Sequence, residues 1–374
     1  MRYLLITFFA LGIIVSLILG GCDSQDYSYL TKYRNDQPNN NDDNRMPPLQ
    51  YNNITGSFSA TLGDDGRTVR LNVSGVINPN TGEPIDLVRN KRHVFVVEDG
   101  EVKNYTITKV DSTNILPVDL VFTVDNSGSM GGEADSVATG IIAFARELES
   151  KGLDVRFGCV GFSGRVTGAL NFTTADSLEL FLNFRNGHPV FGTSRTRGFA
   201  GPDSASLRSA ANTFASGVWG ENGVVAVFFA DSMFAWKPGA QRQFINFTDE
   251  PTQPGGIFEW STEHLCNVFG GQIGIHTVFS ADSSWYSWSS LHYERPWKMS
   301  ECTGGTVEFI SGDASDLDLA DLPIVSVLEN SYLIEFRTNS PDGTHTVQIF
   351  IFDTDADGML ELKDIKYTSG SGGP

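Results

Sequence analysis

From residue 53 to residue 110, apolar and polar positions alternate in short runs, SFSATL, TVRLNVSGV, HVFVVED and KNYTITKV, separated by the turn signals DDG, NPNTGEP and DGE. Period-two alternation places every second side chain on one face of an extended chain, so this stretch predicts strands of a β-sandwich. At Val118 the pattern changes to alternating strand and helix. Strands are predicted at 118–125, 154–162, 223–231, 273–280 and 306–311, with a short one at 168–173, and helices at 134–151, 175–184, 204–215, 261–269, 295–303 and 316–329. In the first of these helices Val137, Ile141, Phe144, Ala145 and Leu148 fall on one face, the i, i+3, i+4 spacing of a helix against a core. Such alternation predicts an α/β unit, a doubly wound, mostly parallel sheet with helices on both faces. After Asn330 strand character returns in YLIEFRT and HTVQIFIF, with Asp342-Gly343 as a turn and no helix between them. Each β-rich half alone has few strands for a stable unit. The α/β segment, 116–330, is therefore expected to be inserted into one small Ig-like sandwich built from 51–115 and 331–374.

Two segments ahead of these elements follow other rules. Residues 1–21 carry Arg2, an apolar run from Tyr3 to Leu19, then Gly20 and Gly21 before Cys22. A positive start, an apolar stretch and small residues before the cut make a secretory signal. Leu19-Gly20-Gly21-Cys22 resembles the bacterial lipobox, in which the cysteine is lipidated after cleavage. The competing view, a transmembrane anchor, is nearly supported by the apolar length. Residues 22–50, rich in Asn, Asp and Pro without apolar periodicity, read as a flexible tether. These features predict a lipid-anchored protein of the bacterial envelope, periplasmic or at the cell surface.

Charge narrows the partners. The chain of 374 residues has 26 basic and 45 acidic side chains, a formal charge of −19. Such a surface repels nucleic acid and anionic lipid, so no nucleic-acid partner is expected and contact with the membrane is through the anchor alone. Four cysteines are too few for a disulfide scaffold. With Cys22 assigned to lipid, Cys159 sits in an apolar run as a small hydrophobe. Cys266 and Cys302 remain, and the sequence leaves open whether they pair.

The segment VDLVFTVDNSGSM, Val118 to Met130, ends an apolar strand in Asp125, Ser127 and Ser129. Asn126 and Gly128 let the loop fold back so that a carboxylate and two hydroxyls converge at a strand C-terminus, where α/β sheets place their ligands. Hard oxygen donors with little charge suit Mg²⁺ or Mn²⁺. Without further support the same residues serve as a polar, helix-capping turn.

This DxSxS pattern, between an apolar strand and an amphipathic helix, resembles the metal-ion-dependent adhesion site of von Willebrand factor type A domains, a Rossmann-like family. The resemblance covers 116–330. It implies a divalent ion held by further oxygens from later loops. One is an aspartate at the end of a later strand, and Asp231, closing GVVAVFFAD, matches it as a water-mediated or outer ligand. Another is a threonine or glutamate just before the helix that precedes that strand. Here the stretch is GFAGPDSASLRSA, in which Ser206 lies nearest, with Asp203, Thr193 and Thr196 as alternatives. Insertion of such a domain into a sandwich resembles the arrangement in integrin β chains. The resemblance also implies an open coordination position for an acidic residue of a protein ligand, and coupling of the last helix, 316–329, to the neighbouring domain.

Phe234, Trp236, Trp285, Tyr286, Trp288, His292, Tyr293 and Trp297 are expected on the same strand-end face, as contact area for a protein or stacking platforms for a sugar, or else packed on one another. A second ion is suggested by DTDADGMLELKD. Asp353, Asp355, Asp357, Glu361 and Asp364 stand at EF-hand-like ligand positions, Gly358 takes the glycine position and Met359 offers a carbonyl for Ca²⁺. The preceding segment is a strand, so a hairpin turn at Asp357-Gly358 is the alternative. HExxH, GxSxG and clustered Cys/His are absent from the sequence, so no enzyme is expected. The sequence favours a cation-dependent adhesion protein that binds a protein ligand, with a scaffold or assembly subunit of an envelope complex as the alternative and a glycan-binding module or a metal-dependent hydrolase behind both.

Overall fold

A computed structural model describes residues 46–89, 93–110, 116–131, 133–183, 201–202, 204–215, 217–218, 220–286, 288, 292–319 and 330–367. The signal, Cys22, nearly all of the tether, Thr193, Thr196, Asp203 and most of the expected helix 316–329 lie outside these residues. Among the described residues no helix is long and apolar enough to cross a membrane.

The fold is mixed α/β. Seven strands form one sheet in the order β12-β11-β10-β6-β7-β8-β9. They are β6 (Val118–Asp125), β7 (Val155–Phe162), β8 (Val166–Thr173), β9 (Gly201–Pro202), β10 (Gln241–Thr248), β11 (Gly274–Phe279) and β12 (Val307–Phe309). Every neighbouring pair is parallel except β7 with β8. Against one face, α1 (Ala134–Ser150) and α2 (Ala175–Asn183) bury Ile141, Phe144, Leu148, Leu178 and Leu182 on Leu120, Phe122 and Phe157. Against the other pack α3 (Ala205–Thr213), α4 (Gly223–Met233), α5 (Thr262–Phe269) and α6 (Lys298–Thr303), where Val224, Phe229, Leu265 and Met299 meet Val121, Val160 and Phe244. Leu120, Phe122 and Val124 of β6 thus serve one core and Val121 the other, which is why apolar residues occupy both faces of the strand.

One expectation fails here and moves the site. Residues 223–231 lie in helix α4, and the strand beside β6 is β10, in a stretch where the sequence pattern predicts no element. GVVAVFFAD is apolar on every side because α4 is buried nearly all round, a pattern that periodicity cannot tell from a buried strand. Its cap was the available signal: the Asn222 side chain accepts from the N–H groups of Val224 and Val225 at 2.9 and 3.3 Å. Conversely, QRQFINFT looks too polar for a central strand. Two of its buried polar residues find partners: Gln243 Nε2 donates to Ser74 Oγ at 3.2 Å, and Thr123 Oγ1 donates to Asn246 Oδ1 at 2.9 Å.

The remaining strands form two four-stranded sheets, β1-β2-β13-β5 and β15-β14-β3-β4. In order they are β1 (Thr55–Leu62), β2 (Thr68–Ile77), β3 (Val94–Glu98), β4 (Glu101–Lys103), β5 (Tyr105–Lys109), β13 (Tyr332–Arg337), β14 (His345–Phe352) and β15 (Asp357–Ile365). Phe58, Leu71, Val96, Ile334 and Ile349 share one core between the sheets. β13, which follows the α/β segment in sequence, lies between β2 and β5, which precede it. Two separate β units are thereby excluded. The sandwich meets the α/β sheet through Phe58 N–H to the Gly271 carbonyl at 3.0 Å and Ser59 Oγ to the Gly239 carbonyl at 3.1 Å. Gly304, in the left-handed region at φ 74°, lies so close to β1 that a Cβ would come within 2.5 Å of Gly56 N. Cys266 and Cys302 form a disulfide joining α5 to α6, while Cys159 is buried and free.

The suggested Ca²⁺ loop is a hairpin. Asp353 and Asp355 accept from Asn78 Nδ2 at 3.1 and 2.8 Å, whereas Asp357 turns to the other side and accepts from the N–H groups of Gln50, Tyr51 and Asn52 at 2.6, 2.9 and 2.6 Å. Glu361 lies along β15 with Gln348 and Lys363, each at 2.6 Å, and Asp364 occupies a position of φ 53°. The acids are thus drawn to separate partners in the turn, ahead of β1 and along β15, where Met359 pairs with Phe350, so the carboxylates, and Met359 with them, do not surround a common point. Asp357 anchors the segment ahead of β1 instead.

Candidate functional site

β6 carries Asp125 to the C-terminal edge of the sheet, and the chain turns back immediately. Asn126 N–H donates to the Phe162 carbonyl at 2.6 Å, and its side-chain amide donates to Thr167 Oγ1 at 3.3 Å, fixing the turn to β7 and β8. Ser127 N–H donates to Asp125 Oδ1 at 2.8 Å, and the hydroxyls of Ser127 and Ser129 stand 2.8 Å apart. The three oxygens of the motif do converge.

The neighbouring strand supplies the rest. Thr248, the last residue of β10, donates its hydroxyl to Asp125 Oδ2 at 2.8 Å. Ser129 Oγ donates to Asp249 Oδ1 at 3.0 Å and approaches Glu250 Oε1 at 3.4 Å. Glu221 reaches the same group from the loop ahead of α4, where Gln253 Nε2 donates to Glu221 Oε2 at 2.8 Å and to Glu250 Oε2 at 3.0 Å. From the loop after β11, Tyr286 donates its phenol hydroxyl to the Asp249 carbonyl at 2.8 Å.

Asp231 and Ser206 lie elsewhere. Asp231, on α4, pairs with Arg242 at 2.8 Å. Arg242 is near the start of β10 and Thr248 at its end, so this pair stands about 20 Å along the strand from the site. Ser206 is exposed on the first turn of α3, its hydroxyl 3.1 Å from that of Ser204, and no hydrogen bond joins it to the Asp125 group among the described residues. Both assignments followed from reading α4 as the strand. The same rule applied to β10 gives Asp249 at the strand end and Glu221 just before the preceding helix. Phe234 and Trp236 also move to the far end, where Trp236 stacks under Arg242.

The electrostatics are those of a site short of positive charge. Burial, countered by the Ser127 N–H and the Thr248 hydroxyl and assisted by Asp249, pushes Asp125 up to about 8. Burial likewise raises Glu133 to about 7, with Asp249 and Asp313 adding to it against the Ser280 hydroxyl. Asp249 and Glu250 are raised, first by burial and then by Glu221 among others. Tyr286 is pushed up to about 12 by burial and by Glu250, Asp249, Asp125 and Glu221. Among the described residues no lysine, arginine or histidine pairs with Asp125, Glu133, Glu221, Asp249 or Glu250. Also among the described residues, no group of three or more His, Cys, Asp or Glu side chains is arranged as a ready metal site. Hydroxyls make up much of the donor set here: Ser127, Ser129 and Thr248 stand among the carboxylates. Hard oxygens around uncompensated negative charge fit a small divalent cation.

Tyr286, Trp288, Trp297, Phe279 and Phe309 continue from this edge as interlocked rings. Centroids are 5.6 Å apart for Tyr286–Trp288, 5.1 Å for Trp288–Trp297 and 5.1 Å for Trp297–Phe309, and all are tilted or edge-to-face. Phe309 is 53% exposed.

No protein-family model matches the chain, and no curated protein matches it. Among solved structures the chain is similar to the pilus adhesin SpaC from Lactobacillus rhamnosus GG in its open conformation, at 12% identity and a TM-score of 0.36. That match covers 83% of this chain and 47% of the adhesin, so this chain spans less than half of the adhesin's length.

Proposed function

We propose that the chain is a lipid-anchored protein of the bacterial envelope that binds an acidic protein partner through a divalent cation, in the manner of a von Willebrand factor type A domain. The observation that carries this is the meeting of Asp125, Ser127 and Ser129 with Asp249 and Glu221 at one sheet edge. These are the positions the adhesion-site pattern requires once β10 is recognised as the strand. Asp125, Ser127, Ser129, Glu221 and Asp249 would hold Mg²⁺ or Mn²⁺, and the ion would offer a partner carboxylate a positive charge that the surrounding surface lacks. The protein's part is to keep the hydroxyls and acids converged and to present apolar contact area beside them at Tyr286 and Trp288. Binding rather than catalysis is the function assigned, and a protein is favoured over a sugar. Tyr286, Trp288 and Trp297 meet at tilted or edge-to-face angles, so among these rings no two faces lie parallel to hold a pyranose between them.

The test uses Mn²⁺ as a probe, with the relaxation of bound water as readout. One Mn²⁺ should bind per chain and be lost in the Ser127→Ala/Ser129→Ala variant. Excess glutarate, a small carboxylate, should displace bound water and lower the relaxation enhancement. Mn²⁺ binding that ignores glutarate would exclude an open position for an acidic partner. Absence of Mn²⁺ binding would exclude the site.

A further inference from the structure

Gln253 is no ion ligand in the site proposed above, yet its amide stands between two acids. Its Nε2 donates one hydrogen to Glu221 Oε2 at 2.8 Å and the other to Glu250 Oε2 at 3.0 Å. Its backbone N–H donates to the Glu221 carbonyl, also at 2.8 Å. Gly220 leaves the room for this, because a Cβ there would come within 2.6 Å of Gln253 Cδ. One residue earlier, Thr252 exchanges backbone hydrogen bonds with Glu294, both at 2.9 Å. The loop after β10 is therefore tied on one flank to Glu221 and on the other to the segment before α6.

Two carboxylates side by side repel, and away from bulk water they repel more. An amide NH₂ aimed at both turns that repulsion into a bridge without adding charge that would compete with a cation. With those donors gone, nothing holds the two acids together, and Glu221 would leave its place beside Asp249. We propose that Gln253 is a positioning residue for the cation site, one that holds Glu221 and Glu250 together so that Glu221 is already in place when the ion arrives. This inference rests on the metal-site proposal above and deepens it.

Gln253→Met keeps the length and removes both donors. Calorimetric titration of the full chain with Mg²⁺ should show affinity ten- to a hundredfold weaker, the usual effect of losing an outer-shell partner, with the metal-free melting temperature held. In a Glu250→Gln background the same change should cost threefold or less, because no second charge is left to bridge. Wild-type affinity in Gln253→Met would overturn the proposal, as would an equal loss in both backgrounds. A lowered metal-free melting temperature with affinity kept within twofold would reduce Gln253 to a packing role and overturn it too. If the wild-type chain binds no Mg²⁺, it is the cation site that fails, a result distinct from the others.

Discussion

Replacing Asp125 by asparagine should stabilise the metal-free protein at pH 8 while abolishing its response to Mg²⁺. Asp125 is 1% exposed, and its carboxyl is pushed up to about 8 from an ordinary value of 3.8. The folded value lies above the unfolded one, so between about pH 4 and pH 8 the native chain holds a proton that the unfolded chain releases. Stability therefore falls as pH rises through that window. At 1.36 kcal/mol per pH unit the full opposition to folding at pH 8 is about 5 kcal/mol, and water entering around the ionised group lowers it to about 2–5 kcal/mol. Asparagine keeps an oxygen for the Ser127 N–H, and Thr248 Oγ1 can turn to accept from its amide. At pH 3, below the unfolded value, where Asp125 is neutral in both states, the substitution should change stability by less than about 1 kcal/mol. Thermal melting in chelator should show Asp125→Asn melting about 5–10 °C above wild type at pH 8, with the two converging at pH 3. Saturating Mg²⁺ should raise wild type and leave the variant where it was. A variant that melts at or below wild type at both pH values would refute the reasoning, since Asp125 would then carry no buried, uncompensated charge.

Two further outcomes follow from the structure. Asp357→Asn leaves Gln50 N–H facing an amide NH₂ and should lower stability by about 2 kcal/mol, read from urea unfolding. Ca²⁺ should not change the unfolding of wild type through this hairpin, and calcium stabilisation lost in Asp357→Asn would restore the EF-hand-like assignment. The Cys266→Ser/Cys302→Ser variant opens a link spanning 36 residues. It should lose about 4 kcal/mol of stability with Mg²⁺ affinity unchanged, and altered affinity would show that α5 and α6 act on the site.

The insertion was legible because strand alternation needs only a face, and sequence shows faces well: the runs TVRLNVSGV and YLIEFRT became β2 and β13, neighbours across the α/β segment. The first loop of the site was legible for the same reason, since Asp125, Ser127 and Ser129 are contiguous with the strand that places them. The distant acids were harder. Asp249 and Glu221 depend on which segment pairs with β6, and hydrophobicity alone favoured Val224–Ala230 over Phe244–Phe247. What decides is polar burial: Gln243 and Asn246 find partners on Ser74 and Thr123 that only the assembled sheet provides. Gln253 carried no signal, because a glutamine in a loop acquires meaning only from the two acids it bridges. Trp236 was misplaced by the same error as Asp231, and Tyr286 was not.

The most direct test is Mg²⁺ titration of the full chain by calorimetry, with Asp249→Ala and Asp231→Ala compared against wild type. One ion should bind to wild type and to Asp231→Ala with similar affinity, and Asp249→Ala should bind none at the same concentrations. Binding lost in Asp231→Ala but kept in Asp249→Ala, or no binding by wild type, would contradict the site at the end of β6 and β10.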